Sequence, residues 1–157
     1  ADDVQFVLLG TGDSEYESYF KDLANRYKGK AVSIIAFNGD LSRKIYSGAD
    51  IFLMPSKSEP CGLSQMIASR YLTVPVVRET GGLYDSIKPY GAGGNGFTFA
   101  AYNAGDMLYV LREAVSLYKN KPEWQKLMIK AGTTDFSWQR SAEEYKKLYT
   151  DTLALLK

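Results

Sequence analysis

Glu59 is the one carboxylate in a short polar turn bracketed by Pro55 and Pro60. A residue that precedes proline is pushed out of the helical region into an extended conformation, so Glu59 is held in a defined shape. A carboxylate held that way can accept hydrogen bonds from ligand hydroxyls or stabilise developing positive charge. A lone glutamate on a turn is also at home merely solvated, and both readings stay open at this point. Cys61 follows at once. A thiol beside a helix N-terminus gains acidity and could act as a nucleophile. The chain has no histidine to activate it, and the simpler reading is a small, partly buried filler.

From Pro60 onward no charged side chain occurs until Arg70. The segment that Gly62 opens, 63–71, has helical composition, so the backbone N–H groups of Gly62, Leu63 and Ser64 are free to meet an anion. The helix dipole adds about 0.3–1 kcal/mol there, beside charge-assisted hydrogen bonds. A second glycine turn, Thr80-Gly81-Gly82, follows the next apolar run and should open at the same sheet edge. Its glycines allow close backbone approach to a ligand. Glycines also serve tight turns with no ligand in view, and the pair of turns leaves both readings open. Phe37, after another apolar run, either stacks on a base or covers the core. Gly10-Thr11-Gly12 lacks the full spacing of a dinucleotide fingerprint.

The elements that must hold these residues alternate between strand and helix. Apolar runs of strand length occupy 4–9, 32–36, 51–54 and 74–77, with a short final strand at 97–99. Each is near-continuous rather than alternating, as expected of strands covered on both faces of a parallel sheet. Tyr16, Phe20, Leu23 and Tyr27 recur at helical spacing, with Asp13 and Ser14 as N-caps. A helix over 41–47 closes at Gly48, and a brief helical turn lies at 83–86. Residues 91–96, GAGGNG, read as a flexible connection. Helices follow around Met107 to Tyr118, from Pro122, and from about Ser141, the last with Tyr145, Leu148, Tyr149, Leu153 and Leu156 on one side. The prediction is one α/β domain over 1–157, a Rossmann-like parallel sheet with helices on both faces and a helical C-terminal region.

Composition narrows the function classes. With 45% hydrophobic and 24% charged residues among 157, the chain can build a core. Nineteen basic and eighteen acidic side chains leave a net charge of +1, which argues against nucleic acid or a membrane surface as partner. No apolar run approaches the ~20 residues of a membrane span, and no signal-peptide pattern is present. The single cysteine excludes a disulfide framework and fits a reducing compartment, the cytoplasm. Neither histidine nor an Asp-x-Asp pair at a strand end is available, so no metal and no cofactor are expected.

Residues 55–66, PSKSEPCGLSQM, resemble the bacterial glycogen synthase and plant starch synthase family. Further matches are Tyr46-Ser47-Gly48-Ala49-Asp50, Thr73-Val74-Pro75-Val76-Val77-Arg78, Thr80-Gly81-Gly82-Leu83, Gly94-Asn95-Gly96-Phe97 and Asp135-Phe136-Ser137-Trp138. The resemblance implies the C-terminal, sugar-nucleotide-binding domain of a two-domain GT-B glycosyltransferase. The implied reaction transfers glucose from ADP-glucose, as donor substrate, to the non-reducing end of an α-1,4-glucan acceptor with retention. Glu59 matches the family's catalytic carboxylate at the donor glucose. The backbone of Cys61 and Gly62 would meet glucose hydroxyls, and that of Leu63 and Ser64 the distal phosphate, with Thr80, Gly81 and Gly82 completing the donor site. Phe37 stands where the family often stacks a tyrosine on adenine. Related retaining transferases often carry a second glutamate eight residues after the first. That position is Ile67 here, as is usual for glycogen synthases, so no carboxylate pair is expected.

A ring stacks on either base, so a UDP-sugar-dependent GT-B transferase stays open as an alternative, as does a non-catalytic nucleotide- or phosphate-binding module. Glu59 favours the enzyme, because phosphate binding alone needs no carboxylate. The resemblance also implies an earlier strand and helix, followed by an arginine and a lysine for the diphosphate, and an N-terminal domain as partner. The chain begins at what resembles the second strand. An unpaired sheet position would then invite strand exchange or pairing between chains. Loss of two charge-assisted bonds, about 1.5–3 kcal/mol each, would weaken donor binding a hundredfold or more. The isolated chain is therefore expected to bind donor weakly and to show no synthase activity. Robust glucan elongation by the purified 157-residue chain would overturn this.

Overall fold

The computed structural model describes residues 3–155. Two compact units divide the chain, one ending at Gly48 and the next beginning at Ala49. In the first, strand β1 (Phe6–Leu9) pairs parallel with β2 (Ala31–Ile34), Phe6 opposite Ala31 and Leu9 opposite Ile34. Helix α1 (Ser14–Arg26) makes the crossover, and its Phe20 ring stacks on Phe6 at 6.0 Å. Asp13 takes the N-cap position but makes no side-chain cap bond. Glu17 instead reaches back to accept from the Gly12 amide at 3.1 Å. Of the expected apolar stripe, Phe20 and Leu23 are half-buried, while Tyr16 and Tyr27 at its ends are exposed. Helix α2 (Gly39–Gly48) follows, started by Asn38, whose side-chain oxygen accepts from the Leu41 amide at 2.9 Å.

The continuous apolar run of β1 predicts cover on both faces, and here the structure differs. Val7 and Val32, opposite one another in the register, are both about half exposed. A two-stranded pair with one helix between its strands stacks that helix on the Phe6 side, and Val7 points the other way because strand side chains alternate.

In the second unit β3 (Ile51–Met54), β4 (Val74–Arg78) and β5 (Phe97–Phe99) form a parallel sheet in that order. The five strands thus pair in parallel throughout, β1 with β2 in the first unit and β3, β4 and β5 in the second. Helices α3 (Ser64–Arg70), α4 (Gly81–Ser86), α5 (Ala104–Lys119), α6 (Lys121–Thr133) and α7 (Trp138–Leu155) complete it. Strand β4 is central and buried on both faces. Val74 and Val76 pack with Phe97, Phe99, Val110, Ala114, Trp124 and Leu127. Val77, on the opposite face, packs with Leu83 and Ile87. Pro75 has no N–H to donate. It lies near the strand start, one residue before the ladder to β5 begins at Val76 and Phe97, where a proline does least damage.

The glycine-rich segment is a tight turn rather than a flexible connection. A single 3₁₀ turn at Tyr90–Ala92 ends at Gly93 with φ +73°, and the Gly94, Asn95 and Gly96 amides bond back to Pro89 and Lys88 carbonyls. Glycine is required at 94 because a Cβ there would run into the Lys88 backbone. Helix α7 starts three residues before the expected Ser141. Asp135 accepts from the Ser137 amide at 2.8 Å, and the Ser137 hydroxyl accepts from the Arg140 amide at 3.4 Å. The Ser137 hydroxyl and amide together hold the Asp135 carboxyl below its ordinary range. The expected stripe Tyr145, Leu148, Tyr149 and Leu153 stays exposed; Leu156 lies outside the described residues.

Trp124 is 2% exposed and meets the Tyr118 ring edge-on at 5.3 Å, yet among the described residues its buried indole N–H has no partner. Trp124→Ala should cost about 3–5 kcal/mol in urea unfolding. Trp124→Phe should cost markedly less, because it removes the unpaired N–H while keeping the ring. A loss equal to that of alanine would contradict this packing account.

Candidate functional site

The turn that carries Glu59 leaves the carboxyl end of β3 and is fastened to the carboxyl end of β4 by its backbone. Arg78, the last residue of β4, donates from one Nη to the Ser56 carbonyl at 3.3 Å and the Lys57 carbonyl at 2.8 Å. Two residues past Thr80, the Gly82 amide is shared between the Glu59 carbonyl at 3.1 Å and the Pro60 carbonyl at 3.2 Å. Gly81 adopts φ +45°, and a Cβ on it would overlap the Glu59 carbonyl; one on Gly82 would overlap that of Cys61. The two glycine turns expected at one sheet edge are therefore in direct backbone contact. The Gly82 N–H is committed to that contact, which gives this glycine a packing reason of its own.

Glu59 itself is half-buried. Among the described residues its carboxylate makes no hydrogen bond or ion pair. Glu79 on the neighbouring loop contrasts with it, since its Oε1 accepts from the Thr98 hydroxyl at 2.7 Å. Glu59 is thus fixed through its main chain and left free at its side chain, which suits a group that meets a ligand.

Gly62 takes φ +73° and leads to Leu63, the N-cap of α3, which is 65% exposed and makes no side-chain cap bond. The first turn of α3 holds no acidic residue. Ser64 opens the helix half-buried, with amides that the helix itself cannot satisfy. Thr80 is the half-buried N-cap of α4, its amide bonded to the Arg78 carbonyl at 2.9 Å. Cys61 is exposed, not the partly buried filler expected. Its carbonyl is the group packed inward against Gly82, so its side chain falls on the solvent side of the turn. Phe37 belongs to the first unit and is 97% exposed in the loop before α2, so it does not cover a core. Among the described residues no cluster of three or more acidic, cysteine or histidine side chains is placed to hold a metal.

Two residues of the site escaped the sequence reading. Gln65 is fully buried, and its amide nitrogen donates to the Cys61 carbonyl at 3.2 Å, the Gly62 carbonyl at 2.9 Å and the Ser86 hydroxyl at 3.1 Å. Ser86 donates onward to the Gly82 carbonyl at 2.6 Å, and its own carbonyl accepts from Asn95 at 3.0 Å. This network braces the Cys61-Gly62 turn from below. Its sequence signal was available: Gln65, Ala68 and Ser69 share the buried face of α3 at helical spacing, and a polar residue there needs buried partners. Arg78 is the second, the first charge after the apolar run of β4.

The family described as glycosyl transferases group 1 matches residues 1–135. A glycogen synthase of Bacillus cereus (strain Q1) is 50% identical over 151 residues, which is 94% of this chain and 32% of that protein. A glycogen synthase of Kosmotoga olearia is 51% identical over 156 residues, 98% of this chain and 33% of that protein. Among solved structures, the catalytic domain of starch synthase IV from Arabidopsis thaliana, bound to ADP and acarbose, matches with a TM-score of 0.83 at 36% identity. The match covers 96% of this chain and 32% of that one. The chain spans about a third of the length of the curated relatives it matches.

Gly82→Ala should force the Cys61 carbonyl away and lower stability by more than about 2 kcal/mol, as an overpacked site does. At Gly91 a Cβ would meet nothing within 4 Å, and Gly91→Ala should stay within about 0.5–1 kcal/mol. Chemical denaturation of the two variants side by side checks the contrast.

Proposed function

The chain belongs to the glycosyl transferases group 1 family, and we propose that it is the donor-binding part of a glycogen or starch synthase. Its parallel α/β architecture is that of a GT-B glycosyltransferase domain. The proposed reaction moves glucose from ADP-glucose to the non-reducing end of an α-1,4-glucan, retaining configuration at the anomeric carbon. The glycogen synthases at about half identity and the ADP-bound starch synthase support this reading.

The observation that carries it is the Glu59 turn, rigid in its backbone and uncommitted at its carboxylate. In the proposed site that carboxylate accepts hydrogen bonds from the hexose. It also stabilises the positive charge that builds on the sugar as the bond to the diphosphate lengthens. The backbone of Cys61 and Gly62 meets the glucose hydroxyls, and the amides of Leu63 and Ser64 meet the distal phosphate, whose charge they oppose by dipole and hydrogen bond. Phe37, in the first unit, carries an exposed ring of the kind that stacks on a base. The acceptor glucan and an N-terminal domain are the partners this reading requires.

Calorimetry with ADP-glucose and with ADP tests the assignment on the purified protein. Glu59→Gln should weaken ADP-glucose by roughly ten- to a hundredfold, the worth of one charge-assisted contact set of about 1.5–3 kcal/mol. ADP binding should change by less than about twofold, since the diphosphate contacts are main-chain. An equal loss for both ligands would place Glu59 outside the hexose site.

A further inference from the structure

We propose that Arg78 is a positioning residue for the hexose site, setting the direction of Glu59 by clamping the turn that carries it. The inference rests on the reading of Glu59 given above and adds a second residue to it. Arg78 is itself firmly placed. It pairs with Phe99 of β5, its carbonyl accepts from the Thr80 amide at 2.9 Å, and its guanidinium lies 5.4 Å from the centre of the Tyr102 ring. From that platform one Nη reaches two consecutive carbonyls, Ser56 and Lys57, at the start of the turn.

The choice of partners is informative. Among the described residues Arg78 makes no ion pair, and its Nε is buried with no hydrogen-bond partner. A half-buried guanidinium without a carboxylate is a costly group to keep for cohesion alone. An apolar side chain would fill the space with no desolvation penalty. What the guanidinium supplies is a planar donor in fixed geometry, aimed at main-chain oxygens two and three residues before Glu59. The far side of Glu59 is held independently by the Gly82 amide. Glu59 thus sits between two clamps, both on the loop and strand end of β4, and its χ angles start from a backbone anchored on both sides. A lysine could reach these carbonyls only as a flexible point donor, without the planar guanidinium that lies beside the Tyr102 ring.

The test combines Arg78→Met, Arg78→Lys and Glu59→Gln, singly and as the Arg78→Met/Glu59→Gln pair, in the purified protein. Calorimetry reads ADP-glucose and ADP, and thermal unfolding is followed in parallel. Arg78→Met should weaken ADP-glucose by roughly tenfold while ADP stays within about twofold, and in the Glu59→Gln background it should add less than about twofold. Arg78→Lys should recover part of the loss. A loss shared equally by ADP, a loss that multiplies with that of Glu59→Gln, or a lowered melting temperature with the hexose preference intact would each overturn the inference. If Arg78→Met does not fold, Arg78→Lys carries the same comparison, and full hexose preference in it would overturn the inference. The two readings separate cleanly: loss of preference in Glu59→Gln but not in the Arg78 variants sinks only the clamp, whereas an unaltered Glu59→Gln sinks both.

Discussion

Everything at this site depends on the Gly82 amide being close enough to share itself between the Glu59 and Pro60 carbonyls. Two loops that leave successive parallel strands open at one sheet edge without having to touch. Here they touch, and they can do so only where neither backbone carries a Cβ toward the other. Gly81 and Gly82 meet that condition against Glu59 and Cys61. Once that contact is made, the position of Glu59 follows from the position of β4, which is the most deeply buried strand of its sheet. A carboxylate on a loop is thereby tied to a core strand.

How much of this could be read beforehand depended on which force set each feature. The bounds of β3 and β5, at Ile51–Met54 and Phe97–Phe99, were legible because short apolar runs between turn residues have little alternative to strand. So was the meeting of the two glycine turns, since consecutive parallel strands open at one edge. The cover on each strand was not, because what packs on a strand is a long-range matter that no local pattern records. The cover on β1 was overstated for a related reason: a continuous apolar run states what a strand could bury, not what packs on it.

Other misses were local and had physical causes within reach. The sequence GAGGNG reads as flexible when glycine is counted only as permissive. Gly94 and Gly96 are there because the Lys88 and Pro75 backbones approach too closely for a side chain, and Asn95 pins the turn with a bond at each end of its amide, to the Lys88 N–H and the Ser86 carbonyl. Cys61 was expected as a small, partly buried filler because the chain has no histidine to activate its thiol. At this turn the carbonyl is what packs, and the thiol is turned outward. Gln65 went unassigned for the opposite reason: a glutamine is read as surface until its neighbours Ala68 and Ser69 are seen to be buried with it.

The division of labour among these residues has a consequence for how the site can vary. The turn is held by main-chain carbonyls that accept from Arg78, Gln65 and Gly82, so its shape does not depend on the side chains it displays. Lys57, Ser58 and Glu59 are thus free of structural duty as side chains, whereas the residues that grip them from β4, α3 and α4 are not. Loss of Gln65 from this grip leaves the Gly62 carbonyl buried and unsatisfied, at about 1–3 kcal/mol, far more than a solvated side chain on the turn contributes to stability. Changes at the displayed positions therefore act first on ligand chemistry, and changes at Gln65 and Gly82 act first on folding. Glu59 belongs to the first group despite its half-buried setting, and that combination of fixed backbone and uncommitted carboxylate is what a solvated turn glutamate would lack.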